Sequence, residues 1–68
     1  MEIVVNGQPQ TASEESTLLD LLRSLSIDPS RVAVELNGEI VKKTEWSETR
    51  LTPGAQLEIV HFVGGGSR

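Results

Sequence analysis

Apolar and polar positions alternate in a way that divides the chain into short elements. Residues 1–5 form an apolar run with β-branched Ile3, Val4 and Val5, and Asn6-Gly7 follows. Asn-Gly is the strongest short hairpin signal because both residues accept positive φ. Residues 8–12 are therefore expected to return as a second strand. Pro9 has no N–H to donate, which puts that strand at a sheet edge or Pro9 at its beginning.

In the stretch SEESTLLDLLRSLSI, Leu18, Leu21, Leu22 and Leu25 fall at i, i+3, i+4 and i+7. That spacing is one face of an amphipathic helix, and a lone helix in a small domain supplies the core with that face. Ser16 or Thr17 is placed to accept N–H bonds at the helix start, with Glu14, Glu15 and Asp20 near its positive end. Asp28-Pro29 is expected to stop it.

Residues 31–36 alternate again, with Val32, Val34 and Leu36 on one face and Ala33 and Glu35 on the other. Such a pattern is a half-buried strand. Asn37-Gly38 predicts a second hairpin, with residues 39–41 returning. KKTEWSET is polar and reads as a loop or short helical turn in which Trp46 caps one end of the core. Leu51 is expected to begin a short strand before the Pro53-Gly54 turn. In the last strand, residues 56–63, Leu57 and Ile59 share one face while Glu58, Val60 and Phe62 share the other. Leaving out the short stretch at Leu51, the order is β-β-α-β-β-β. The class is α+β: a mixed sheet of four or five strands with one helix packed across one face. The first and last strands, being the most apolar, are expected side by side at the centre.

Sixty-eight residues make one domain. A domain of this size buries roughly 60% of its unfolded surface, which leaves little room for a deep pocket. Ten acidic against six basic residues give a net charge of −4. Lys42-Lys43 is the nearest approach to a basic stripe, so nucleic acid is not the expected partner; a basic protein surface suits the charge better. There is no cysteine and one histidine, which excludes disulfide and thiolate chemistry and gives no basis for a metal site. No apolar run approaches the roughly 20 residues of a membrane span, and the start MEIVVNG lacks the positive charge of a signal peptide. A cytoplasmic protein without a membrane role is expected.

No catalytic grouping is evident. His61, between Val60 and Phe62, reads as a packed or surface residue, and neither NGE nor GGG leads into a helix as a phosphate loop would. The distinctive feature is the ending HFVGGGSR. Glycine is costly to order and offers no side chain to pack, so residues 64–68 are expected to be a flexible tail on a body of residues 1–63. Three extended residues, Gly64 to Gly66, reach about 10 Å, and a thread without side chains can enter a narrow channel in another protein.

"VAVELNGEIV", the tryptophan that follows, and "PGAQLEIVHFVGGG" together resemble the ThiS family, the sulfur carriers of thiamin biosynthesis, across residues 1–66. The ending EIVHFVGGG is the most specific part. The resemblance implies a ubiquitin-like β-grasp fold and a protein co-substrate rather than an enzyme. It implies that a ThiF-type adenylyltransferase, which itself uses ATP and Mg, activates the terminal glycine carboxylate. Sulfur from a cysteine desulfurase or related donor then gives a thiocarboxylate, and a ThiG-type thiazole synthase receives the sulfur. By position, Gly66 would bear the thiocarboxylate, Gly64, Gly65 and Gly66 would be the tail presented to partner active sites, and Val60 and Phe62 would belong to the apolar surface that docks partners. No cofactor or metal is expected on the chain itself.

Members of that family usually end at the glycines, whereas Ser67 and Arg68 follow here. Proteolytic removal, a cloning remnant and a divergent paralogue each account for the two residues. Two other functions fit the same fold: a MoaD-type or other metabolite-pathway sulfur carrier, and a β-grasp protein-binding module without tail chemistry.

Overall fold

The computed structural model describes residues 1–63. Strand β1 (Glu2–Val5) and β2 (Gln8–Thr11) form the first hairpin, α1 spans Leu18–Ser24, β3 (Val32–Leu36) and β4 (Glu39–Ile40) form the second hairpin, and β5 is Gln56–His61. The sheet order is β2-β1-β5-β3-β4. β1 and β5 run parallel, and every other neighbouring pair is antiparallel. The first and last strands thus meet at the centre, as expected, and β2 with its Pro9 lies on an edge, where a missing N–H breaks no ladder.

Both hairpins turn on their Asn-Gly pairs. Asn6 and Gly7 have φ of 51° and 80°, and Asn37 and Gly38 have 52° and 88°. Positive φ at both central residues matches the right-handed strand twist. The alternation then decides which side chains go inside. Ile3, Val5, Val32, Val34, Leu57 and Ile59 are buried on the face that α1 covers, where they meet Leu18, Leu21 and Leu22.

The helix starts with a capping box. Asp20 N–H donates to Thr17 Oγ1 at 3.1 Å, and Thr17 N–H donates to Asp20 Oδ2 at 3.0 Å. Its end differs from expectation. Asp28-Pro29 does not stop it; the chain turns earlier, at Ser26 with φ 60°. Ser26 N–H donates to Arg23 C=O at 3.0 Å and Ile27 N–H to Leu22 C=O at 2.9 Å. These are the two bonds of a Schellman motif, with serine in the place glycine usually takes. Asp28 instead caps a separate 3₁₀ turn, Pro29–Arg31, through Ser30 N–H at 2.9 Å.

Leu51 does not begin a strand. The only pairing there is an isolated bridge between Arg50 and Thr17, and Leu51 N–H donates to Ser16 C=O at 2.9 Å. This contact ties the loop to the helix start and buries Leu51. Trp46 follows the 3₁₀ turn Lys43–Glu45 and closes the core at 2% exposure, its indole N–H donating to Val41 C=O at 2.9 Å. Among the described residues no helix is long and apolar enough to cross a membrane.

Candidate functional site

With one face of the sheet covered by α1, the other is left to solvent, and the register assigns its members. Val60 lies opposite Ala33 and Glu58 opposite Glu35 on β3, and Ile40 of β4 lies opposite Glu35 on its other side. Phe62 extends the same row, its N–H donating to Arg31 C=O at 2.8 Å. Val60 and Phe62 are 57% and 59% exposed, and Ile40 and Val63 are more so. Exposed large apolar groups rimmed by polar residues are a usual form of contact surface; here Val60 and Phe62 adjoin along β5, while Ile40 lies two strands away in the row of Glu35 and Glu58. The body therefore presents an apolar strip along β5 that ends where the chain leaves the sheet. Gly64, Gly65 and Gly66, the residues read as the presented tail, lie outside the described residues.

The electrostatics of this face are acidic. Glu35 and Glu58 are direct cross-strand partners, and no cation among the described residues forms an ion pair with either. Like charges so placed repel. His61 is exposed at the strand end, and the alternation turns its side chain to the Leu57 and Ile59 side of the sheet, away from Val60 and Phe62. Among the described residues no group of histidine, cysteine, aspartate or glutamate side chains could hold a metal. A shallow recess beside the helix start is lined by Ser13, Glu14, Asp20 and Ser24 among others. It is lined by carboxylates and hydroxyls and, among the described residues, contains no histidine or lysine.

One feature near the strand exit escaped the sequence reading. Ile59 N–H donates to Asn6 Oδ1 at 2.7 Å, and Asn6 Nδ2 donates to Ile59 C=O at 3.2 Å. Asn6 was legible as a turn residue; its second use depends on a strand 53 positions away.

The comparisons with known proteins agree with this geometry. The ThiS family model matches residues 3–66. The chain belongs to the ThiS family. Its likeness to the sulfur carrier protein ThiS of Bacillus subtilis is 43% identity over 53 residues, covering 78% of this chain and 80% of that protein. The crystal structure of the thiamine biosynthesis protein ThiS from Geobacter metallireducens superposes with a TM-score of 0.84 at 35% identity, covering 97% of this chain and all of that one. The fold is thus the ubiquitin-like β-grasp of the ThiS family. A thiazole synthase of Paramagnetospirillum magneticum is 43% identical over 67 residues. The chain spans about a fifth of the length of that protein and of a second thiazole synthase, from Magnetococcus marinus.

Proposed function

We propose that this chain is a sulfur carrier of thiamin biosynthesis whose body serves as a handle and whose reactive group is the carboxylate of Gly66. The observation that carries this reading is the family match running from the first strand through Gly66, with the glycines at its end. Residues 1–63 are the folded body and residues 64–68 the glycine tail.

The chemistry follows from what a carboxylate lacks. It is a poor electrophile, so a ThiF-type adenylyltransferase, holding ATP and Mg in its own site, lets the Gly66 carboxylate attack the α-phosphorus of ATP and expel pyrophosphate. The acyl adenylate has a good leaving group. Sulfide, or the terminal sulfur of a desulfurase persulfide that a thiol later frees, attacks the acyl carbon and displaces AMP. The product is a thiocarboxylate, a soft nucleophile that a chain without cysteine otherwise does not offer. The carrier is then a co-substrate and not the catalyst. A ThiG-type thiazole synthase is the proposed acceptor. Support comes from thiazole synthases in which one fifth of the length resembles this chain. Val60 and Phe62 are proposed as the surface that docks these partners, supported by their exposure on the open face.

The test is intact mass. Chains ending at Gly66 and at Arg68 are incubated with ATP, Mg, a ThiF-type adenylyltransferase and sulfide. Exchange of one oxygen for sulfur adds about 16 Da, and the gain is expected only when Gly66 is terminal, because a peptide-bonded glycine has no carboxylate to activate. His61→Ala is expected to load within a few fold of the parent. Absence of any mass gain in both chain forms refutes the carrier reading.

A further inference from the structure

The hydrogen-bond alternation along β5 shows what holds its C-terminal end on the side away from β3. Asn37 N–H donates to Gln56 C=O at 2.7 Å and Phe62 N–H to Arg31 C=O at 2.8 Å. In an antiparallel ladder of this register, the even-numbered residues of β5 bond to β3, and Leu57, Ile59 and His61 turn their N–H and C=O toward β1. β1 meets them only as far as Leu57: its last paired residue is Val5, and Asn6 N–H donates to Leu57 C=O at 2.8 Å. The main chain then turns away through Asn6 and Gly7. Among the described residues Ile59 meets no backbone partner on this side, and the Asn6 carboxamide takes that place by accepting from Ile59 N–H and donating to Ile59 C=O. A carboxamide carries the same donor and acceptor as a peptide unit, so the parallel ladder is one rung longer than β1 itself.

We propose that Asn6 is a positioning residue for tail delivery: its side chain clamps Ile59 and thereby sets the line along which Val60 to Val63 leave the sheet. This rests on the carrier reading above. Beyond Leu57, Asn6 makes the contact that holds β5 on its β1 side, so releasing it frees one edge of the segment that carries both Val60 and Phe62. A partner then binds the carrier from a wider ensemble and the apparent affinity falls by the fraction that is competent. Chemistry at the Gly66 acyl carbon is untouched, because Asn6 contacts no reacting atom. The signature is a raised KM for the carrier at unchanged kcat.

Two variants separate the clamp from the turn. Asn6→Gly keeps the positive φ without strain and removes both bonds. Asn6→Asp tolerates the same φ, keeps the acceptor for Ile59 N–H and loses the donor. Amide exchange by NMR is expected to quicken about tenfold at Ile59 in Asn6→Gly, with the amide of Ile3 unchanged, and less in Asn6→Asp. In adenylation assays with chains ending at Gly66, Asn6→Gly is expected to raise KM several-fold at constant kcat, with Asn6→Asp between it and the parent. Unchanged exchange at Ile59 in Asn6→Gly overturns the clamp. Faster exchange with unchanged KM overturns the positioning role and leaves the carrier reading intact. A parent chain that cannot be loaded overturns the carrier reading, and the positioning role with it, while the exchange data still report the clamp. If Asn6→Gly does not fold, the same two readouts on Asn6→Asp decide.

Discussion

Replacing Trp46 with phenylalanine tests whether this side chain is part of the core or of a ligand surface. The indole is 2% exposed and its N–H donates to Val41 C=O at 2.9 Å. Phenylalanine keeps one ring and loses the donor and about 40 Å³. At roughly 24 cal/mol per Å³, an unrelaxed cavity of that size costs about 1 kcal/mol. The lost transfer of the second ring adds about 1 kcal/mol, and the unpaired carbonyl up to about 1 kcal/mol, less where water reaches it. Lys43 Nζ, 5.9 Å from the ring centroid, still has an aromatic face below it, so no further loss is counted there. The total, about 2–3 kcal/mol, is large against the roughly 3–10 kcal/mol typical of 68 residues. It lowers Tm by roughly 10–20 °C. Urea unfolding followed by far-UV circular dichroism reads the change without relying on the fluorophore that has been removed. Sulfur loading, measured where the variant is still folded, is expected to stay within twofold. A loss under about 0.5 kcal/mol, or normal stability with loading abolished, refutes the core assignment.

Three further predictions concern local electrostatics. Thr17→Ala removes one half of the capping box and is expected to cost about 1 kcal/mol, with Asp20→Asn adding less in that background than alone because the two share one motif; a double-mutant cycle by urea unfolding reads this. The Thr17 backbone N–H first, and its hydroxyl second, hold the Asp20 carboxyl below its ordinary value, and Ser30 does the same for Asp28. Depressed folded values mean that this stabilisation is present above the ordinary aspartate range and lost as pH falls through the folded values. Tm should therefore decline below about pH 4, and less steeply in Asp20→Asn. On the open face, Glu58→Gln removes the repulsion with Glu35 and is expected to stabilise by about 0.2–1 kcal/mol. The gain should shrink in 0.5 M salt, and unchanged stability at low salt would show that the two carboxylates do not interact.

Much of the fold was legible because its signals are local. The Asn-Gly pairs, the period-2 runs and the leucine spacing each fit within ten residues, and each led to the right element. The helix end was misplaced because Pro29 is a loud signal and Ser26 a quiet one. A serine at positive φ works there because Ile27 and Leu22 close the motif around it. Leu51 looked like a strand residue for its apolar side chain, yet its backbone is taken up by Ser16 at the helix start, a tertiary contact that no short window contains. At the candidate site, the outward phase of Val60 and Phe62 followed from the inward phase of Leu57 and Ile59. The Asn6 clamp did not follow from anything nearby, since it joins residues brought together only by the central pairing of the first and last strands.

That central parallel pairing has a mechanical consequence. Tension applied between the start of β1 and the end of β5 pulls the two strands along their length in opposite senses. The bonds from Val4 to Ala55, from Asn6 to Leu57 and from Ile59 to the Asn6 carboxamide then bear the load together, in shear. An antiparallel hairpin pulled from its open end would instead unzip one bond at a time. A body built this way yields to such a pull only when these bonds break at once.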